Sequence, residues 1–392
     1  EPEPVLVYVA ESGDAVTVGS EPAAATARDA APGTVPEPLS RLHVDPAQAV
    51  EPSASAKENY ERGVELHEAA RFREAVPLLR AAVAQRPGYG EAAYALAVVL
   101  FSGMGEAAEA AAVLESCVRH DSTMAPVFHL LGAIRLSLDD PAGATLALER
   151  AAALAPGEWQ IHNRLGVAHL RLGRTGGALQ AFQAAVAAAP YAAAPYGHLA
   201  RLYEREGRSD WALQARRQFA RWRPVMDRLD RYLEGLRQLP DDAELQFLVG
   251  RAYLMQGRQA LSQAAFERAL QLRPGYALAH YGLAGLHHQR RELEEAIERY
   301  ERAFELDPTL VTALSDLGRA CEQVGDSERA VAVLLRAVAL QPDLARVHLN
   351  LGQSYLSLGR RQQAEAALAR AVELDSTLRP AQVALRELRQ ER

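Results

Sequence analysis

Apolar residues recur every three or four positions from Ala56 to the end of the chain, in segments of about a dozen residues separated by short polar turns. Side chains at that spacing share one face of an α-helix, so the pattern predicts a chain that is helical almost without a break from Ala56 onward. The first residues follow a different pattern. Two short runs rich in β-branched residues, Val5–Ala10 and Ala15–Val18, flank a Ser12-Gly13 turn, which predicts a short β-hairpin or extended arm.

The helical pattern repeats every 34 residues. Each repeat carries a small residue, an Ala twelve positions later, a small residue seven positions after that, and a Pro five positions further on. The complete instances are Gly132/Ala144/Ala151/Pro156, Gly166/Ala178/Ala185/Pro190 and Gly318/Ala330/Ala337/Pro342. One pair of short helices cannot bury its apolar face alone, so a repeat of this length predicts stacked hairpins that share a continuous core.

This pattern resembles the tetratricopeptide repeat family. The resemblance covers nine repeats, which begin near Ala56, Gly90, Ala125, Trp159, Ala193, Ala243, Ala277, Val311 and Ala345. It implies an all-α fold, a right-handed α-solenoid of about nine helical hairpins behind the short arm. Small residues at positions 8, 20 and 27 let neighbouring helices approach, and Pro at position 32 ends the second helix because it has no N–H. The fifth repeat places Phe219 in a small-residue slot and keeps Pro224 at position 32. The second repeat has one extra residue in its turn, around Ser102–Glu106.

Changes in this pattern divide the chain. We expect an arm (1–20), a Pro- and Ala-rich acidic linker (21–55), five repeats (56–226), an extra helix (227–242), four repeats (243–378) and a capping helix (379–392). Residues 227–242 are too few for a repeat, but Leu229, Tyr232, Leu233 and Leu236 have helical spacing. They predict either an unpaired helix or the prolongation of a neighbouring one.

The net charge of the chain, −7, comes entirely from its first 55 residues. Residues 1–55 hold nine carboxylates against Arg28 and Arg41, whereas the remaining residues hold 41 acidic and 41 basic side chains. No basic footprint for nucleic acid is present, and no apolar run reaches the length of a membrane span. The single Lys57 among Arg residues and the excess of Ala are typical of a GC-rich bacterial genome.

The chain begins with Glu1, as chains processed after export do, and it has two cysteines. We therefore expect an exported protein that is periplasmic, outer-membrane-associated or extracellular. The alternative is a cytoplasmic protein.

The residues that carry chemistry in other proteins form no recognisable set here. His162, His280 and His348 fall at position 4 of their repeats, and His169 and His287 at position 11, where the resemblance implies packing rather than metal binding. No HExxH, CxxC or P-loop motif occurs. Cys117 and Cys321 are expected in the core. We predict no catalytic, cofactor or metal site, and a protein that is not an enzyme.

The resemblance implies an inner groove lined by positions 2, 5, 9 and 12 of each first helix, which would bind a protein or peptide. The candidate residues are Tyr60, Tyr94, Phe101, His129, Asn163, Arg201, Phe247, Arg251, Tyr281, His288, Arg319 and Arg346. Aromatic residues there suit a peptide, and the arginines suit carboxylates. Tyr60 and Val64 stand where family members that bind chaperone C-termini carry Lys and Asn, which disfavours that function.

Three functions remain open at this point. The first is a scaffold in a multiprotein assembly, such as an envelope secretion or electron-transfer complex. The second is a self-assembling structural protein whose arm docks on a neighbouring copy, giving a filament or oligomer. The docking residues would be Val5, Val7, Val9, Val16 and Val18, which can add strands to a sheet edge. The third is a recruiting module for an enzyme on another chain.

Overall fold

The computed structural model describes residues 54–390. The predicted arm (1–20) and nearly all of the predicted linker lie outside the described residues. Within 54–390 the chain forms α-helices and no strand, which confirms the predicted all-α array of helical hairpins. The nineteen helices of this part are α1 (Ala54–Glu68), α2 (Phe72–Gln85), α3 (Gly90–Val98), α4 (Ala107–His120), α5 (Ala125–Ser137), α6 (Pro141–Leu154), α7 (Trp159–Arg171), α8 (Thr175–Ala188), α9 (Ala193–Arg205), α10 (Ser209–Gln238), α11 (Ala243–Met255), α12 (Gln259–Leu272), α13 (Ala277–Gln289), α14 (Leu293–Leu306), α15 (Val311–Val324), α16 (Ser327–Leu340), α17 (Ala345–Ser357), α18 (Arg361–Leu374) and α19 (Arg379–Gln390).

The described residues fall into two compact bodies, which we call the N-terminal body (54–224) and the C-terminal body (225–390). In the N-terminal body the hairpins are α1/α2, α3/α4, α5/α6, α7/α8 and α9 with the first half of α10. In the C-terminal body the second half of α10 precedes the hairpins α11/α12, α13/α14, α15/α16 and α17/α18, and α19 packs on α18.

Each regular hairpin closes around one small-to-large contact between positions 8 and 24. A Cβ atom added to Gly132 would lie 2.5 Å from Leu148 Cγ, and one added to Gly318 would lie 2.5 Å from Leu334 Cγ. The large partner is fully buried in both hairpins. The glycine therefore lets the two helices of a hairpin approach to a distance that a larger side chain would prevent.

The turn inside each regular hairpin contains a residue in the left-handed backbone conformation, with a positive φ angle. Gly173, Gly257 and Gly325 take positive φ angles there, and glycine does so without steric cost. Asp139 and Arg291 occupy the same place in their hairpins with φ angles of 58° and 65°. The backbone of the turn is thus kept even where the residue is unsuited to it.

A recurring hydrogen bond joins one hairpin to the next. The rings of His162, His280 and His348 bond through Nε2 to the carbonyl of the Pro six residues earlier, at 2.9, 3.0 and 2.8 Å. Tyr196 makes the equivalent bond with its hydroxyl, at 3.1 Å. The side chain at position 4 therefore satisfies the carbonyl that follows the second helix, which is a structural role for these histidines.

The expectation that Pro224 ends its helix is wrong. Pro224 lies inside α10, which runs without a break from Ser209 to Gln238. At Pro156 and Pro190 the preceding residue leaves the helix, and the next residues begin a turn. Pro224 is followed instead by Val225 and Met226, which remain in the helix. Residues 227–238 are accordingly the second half of α10.

The extra residue of the second repeat is absorbed by widening the helix. After Val98 the chain makes a π-helical turn, Val99–Gly103, and the Glu106 N–H donates to the Leu100 carbonyl at 2.8 Å. A π turn holds one more residue than an α turn, so the insertion leaves the rest of the hairpin in register.

Candidate functional site

The first helices of successive hairpins contact one another within each body, for example α5 with α7 and α15 with α17. We call the surface formed by positions 2, 5, 9 and 12 of these helices the inner face. It is the surface that the sequence singles out, and its polar contacts follow one rule. A residue of one first helix is hydrogen-bonded to the residue 35 positions later, in the next first helix. Because the repeat is 34 residues long, the second residue stands one repeat position after the first.

In the N-terminal body this rule joins α5 to α7. Arg164 Nη1 lies 2.8 Å from His129 Nε2. The guanidinium can only donate, so the ring accepts and is neutral. Burial, with the Arg164 cation beside it, lowers the pKa of His129 to about 3. Burial also lowers the pKa of Arg164. A second contact of the same kind joins the Arg171 guanidinium to the carbonyl of Leu136.

In the C-terminal body the rule joins α13 to α15. The Tyr281 hydroxyl donates to Asp316 Oδ2 at 2.6 Å, and Arg319 Nη2 donates to Asp316 Oδ1 at 3.0 Å. Burial, and then the Asp316 charge, raise the pKa of Tyr281 far above its usual value. His288 Nε2 lies 3.2 Å from Gln323 Oε1, and burial is the main cause that lowers the pKa of His288. A further link runs from α15 to α17, where Asn350 Nδ2 donates to Ser315 Oγ at 3.2 Å.

Four of the twelve predicted groove residues are buried: Tyr94, Phe247, Tyr281 and His288. In this structure they contribute to packing between helices. Tyr60, Phe101, His129 and Asn163 are partly exposed. Arg201 and Arg346 are exposed, and Arg251 and Arg319 are partly buried.

The four arginines differ in their contacts. The guanidinium of Arg251 lies 5.7 Å from the centre of the Phe247 ring, and that of Arg319 is bonded to Asp316. Arg201 and Arg346 therefore remain the more accessible sites for a carboxylate.

Sequence reasoning missed the residues at positions 6 and 13, namely Arg164, Asp316, Asn350, Arg171 and Gln323. A signal was present, since a donor and an acceptor recur 35 residues apart at four places. It was not visible in the 34-residue alignment, because that alignment compares equivalent positions and these bonds join non-equivalent ones.

The inner face also holds buried polar atoms without a hydrogen-bond partner among the described residues. In the N-terminal body these are His67 Nδ1, Gln160 Oε1 and Asn163 Oδ1. In the C-terminal body they are His288 Nδ1, Arg319 Nε and Glu322 Oε2. All six residues stand at positions 2, 5, 9 or 12 of a first helix, whereas the other three such atoms of the described residues, in His169, Gln256 and Ser354, stand at positions 11, 14 and 10. Buried polar atoms in proteins are usually paired, so this clustering singles out the inner face.

The described residues offer little for covalent or metal chemistry. No group of three His, Cys, Asp or Glu side chains converges within 54–390. Cys117 and Cys321 are buried, and burial raises the pKa of each thiol to about 11. Of the helices between residues 54 and 390, none is both long and apolar enough to cross a membrane.

Stacked helix pairs of 34 residues, closed by small residues and lined on one side by first helices, define a helical-repeat protein. Models of the tetratricopeptide repeat match residues 66–134, 130–193, 229–276, 275–343 and 315–379. The chain belongs to the tetratricopeptide repeat family, which is typically a non-catalytic module for protein interaction.

Several solved structures resemble the chain. MamA (41-end) from Desulfovibrio magneticus RS-1 is 20% identical, with 44% of this chain and 96% of that chain covered and a TM-score of 0.39. PilF of Pseudomonas aeruginosa is 19% identical, with 59% and 97% covered and a TM-score of 0.39. A chain of the APC/C hetero-tetramer Cut9–Hcn1 is 13% identical, with 85% and 76% covered and a TM-score of 0.39. No curated protein matches the chain in sequence.

Proposed function

We propose that this protein is a non-catalytic scaffold that binds a protein or peptide partner on the inner face of its repeats, within a multiprotein assembly. The observation that carries the proposal is the placement of the unpartnered buried polar atoms. Six of the nine such atoms in the described part of the chain lie at inner-face positions, three in each body.

The chemistry of these atoms suits a polypeptide. Asn163 Oδ1 and Gln160 Oε1 are acceptors, and Arg319 Nε is a donor. The backbone of a bound peptide offers both N–H donors and C=O acceptors along its length. Exposed Arg201 and Arg346 add sites for carboxylates. A ligand with repeated amide groups would therefore satisfy atoms that the folded chain leaves without partners.

Photo-crosslinking of the full chain tests the proposal in each body separately. Benzoylphenylalanine replaces Tyr60 or Arg346 on the inner face, and Leu146 or Leu335 on exposed faces of second helices as matched controls. We expect discrete crosslinked partners, identified by mass spectrometry, from the inner positions alone. Equal crosslinking of the same species from Leu146 and Leu335 would contradict the proposal.

A substitution separates binding from folding. Asn163→Ala removes an acceptor that has no partner in the structure, so we expect it to leave the free energy of unfolding nearly unchanged while it weakens crosslinking from Tyr60. Gln180→Ala, at an exposed position of α8, is the control and should change neither. If Asn163→Ala and Gln180→Ala leave crosslinking equally strong, the inner-face acceptor is not used.

We also propose that the scaffold works after export. The low cysteine content, two residues in the whole sequence and both buried, is compatible with an oxidising compartment. Cell fractionation of the native protein, with protease added to intact cells and to spheroplasts, tests it. Recovery in the cytoplasmic fraction alone would exclude export.

Self-assembly through residues 1–20 and recruitment of an enzyme on another chain are the alternatives to the scaffold function. The β-branched runs at Val5–Ala10 and Ala15–Val18 support self-assembly. Light scattering on the full chain and on a 56–392 truncation distinguishes it: a polymer that is lost on truncation indicates arm docking between copies. A monodisperse monomer in both samples favours the scaffold or the recruiting module.

A further inference from the structure

The first half of α10 carries an unusual concentration of positive charge. Residues 211–226 contain four arginines and no carboxylate. Arg216, Arg217, Arg221 and Arg223 are all exposed, and we call them the basic face of α10. Beside them Trp211 and Leu213 are 58% and 48% exposed.

The basic face is not required by the packing of the hairpin. Position 24 holds a side chain at most 1% exposed in the other eight repeats: Leu79, Leu114, Leu148, Phe182, Phe266, Tyr300, Leu334 and Leu368. In the fifth repeat this position is exposed Arg216. The hairpin closes instead through Ala212, Ala215 and Phe219, spaced three and four residues apart. Arg217 and Arg221 therefore stand outside the packing of the hairpin, while Arg216 is paired with Glu204 of α9.

Two of the arginines on the basic face repel each other, and the other contacts of the basic face hold its side chains in place. Arg217 and Arg221 are four residues apart on one helix face, where like charges repel each other. Glu204 pairs with Arg216, while Arg221 and Arg223 lie over aromatic rings, 4.7 Å from Trp222 and 5.6 Å from Phe219. The guanidinium groups are thus held in place beside exposed apolar surface, an arrangement suited to a negatively charged polypeptide.

The chain itself contains such a polypeptide. Residues 1–53 hold nine carboxylates and two arginines, a balance that equals the whole net charge of −7. The remaining residues are neutral in sum. Elsewhere in the N-terminal body Arg71 is paired with Glu74 and Arg80 with Glu109, and on the basic face Arg216 is paired with Glu204. The uncompensated negative segment and the carboxylate-free basic stretch therefore complement each other.

The segment is long enough to reach the basic face from its own end of the chain. It joins α1 at Ala54, and 53 residues can span up to about 180 Å at about 3.4 Å each. Nine helix-to-helix steps of about 10 Å lead from α1 to α10, which is at most about 90 Å.

We propose that residues 1–53 dock on the basic face of α10 in the same chain, with their carboxylates on Arg217 and Arg221. Arginine binds carboxylates through two parallel N–H···O bonds, so the pairing is directional as well as electrostatic. The surface is exposed, so salt weakens the docking. The inference is independent of the inner face and of the scaffold function.

Energy transfer in the full chain tests the docking. Ser20→Cys places a thiol in the segment for an acceptor dye that tryptophan excites, whereas native Cys117 and Cys321 are buried and remain unlabelled. A Trp159→Phe background leaves Trp211 and Trp222, both on α10, as donors. We expect transfer in this protein to fall at least about twofold in Arg217→Gln/Arg221→Gln. The control Arg71→Gln/Arg80→Gln removes the same charge from paired arginines and should keep the transfer.

Two further measurements test whether the docking is electrostatic and whether it occurs within one chain. Raising the salt from about 0.01 M to about 1 M shortens the Debye length from about 30 Å to about 3 Å and should abolish the transfer. Dilution of labelled protein with a large excess of unlabelled protein should leave the transfer unchanged, because donor and acceptor are in one chain. Equal transfer in both double variants, or loss of transfer on dilution, would overturn docking within the chain.

Discussion

The α15/α16 hairpin and the α9/α10 hairpin share one sequence pattern and are built differently. In α15/α16, Gly318 packs against buried Leu334 and the second helix ends before Pro342. In α9/α10 the corresponding residues are Ala200, exposed Arg216 and Pro224, and the helix continues for another fourteen residues. The Pro at position 32 thus does not by itself stop a helix, and a helix whose large core residue is missing packs through a different set of positions.

The largest change in stability is expected for a substitution at position 24 of a regular repeat. Leu334→Ala removes a fully buried side chain and should lower the free energy of unfolding by about 2–5 kcal/mol. Arg216→Ala, at the same position of the fifth repeat, is exposed and should change it by less than about 1 kcal/mol. Urea denaturation followed by circular dichroism measures both. Similar losses in the two variants would show that the hairpins are packed alike.

Replacing Pro224 and replacing Pro190 should change the free energy of unfolding in opposite directions. Pro224→Ala restores an N–H inside α10 and removes a clash, which should raise the free energy of unfolding by up to about 3 kcal/mol. Pro190→Ala acts where the chain has already left α8, so it should lower stability by about 0.4–1 kcal/mol through the entropy of the unfolded chain. Denaturation midpoints of the two variants decide between these signs.

A larger side chain should lower stability at a buried small-residue position and have little effect at an exposed one. Ala330→Leu introduces a larger side chain at a position with no exposed surface, and overpacking should cost about 1–3 kcal/mol. Ala220→Leu, on the exposed face of α10, should stay within about 0.5 kcal/mol of the wild type. Thermal unfolding curves compare them, and an equal cost at both positions would refute close approach at Ala330.

The links between regular hairpins should appear in the dependence of stability on pH. The pKa of His129 is lowered to about 3 in the folded chain, so its stabilising effect is complete above its ordinary value near 6.5 and is lost as the pH falls from 6.5 toward 3. The loss is at most about 1.4 kcal/mol per pH unit. His129→Gln can accept the same bond from Arg164 without titrating, so its stability should fall less steeply. Equal slopes in urea titrations between pH 7 and pH 4 would contradict the assignment.

The smallest effects are expected in the turns. Asp139→Gly and Arg291→Gly relieve a positive φ angle and should each add about 0.5–1 kcal/mol. Gly325→Ala imposes the same strain on a regular turn and should cost about 1–2 kcal/mol. Melting temperatures of the three single variants test this. No change in any of them would mean that the turn backbone adapts to the residue.

Much of the fold could be predicted from local rules. The repeat beginnings at Ala125, Trp159 and Ala277 coincide with the first residues of α5, α7 and α13, because period, small residues and turn signals agree there. The inner face could be predicted less well. Tyr94 and Phe247, which were predicted to line the groove, are buried among the packed helices.

The amino-acid sequence by itself determined that the chain is helical, where most hairpins begin and end, and which residues allow close approach. Each of these depends on residues within one turn or one hairpin. Only the tertiary structure decided that α10 continues through Pro224, that Tyr281 bonds to Asp316, and that atoms such as Asn163 Oδ1 are left unpaired. Those outcomes depend on what stacks against a side chain from a neighbouring hairpin, and burial and hydrogen bonding between hairpins arise only when that neighbour is in place.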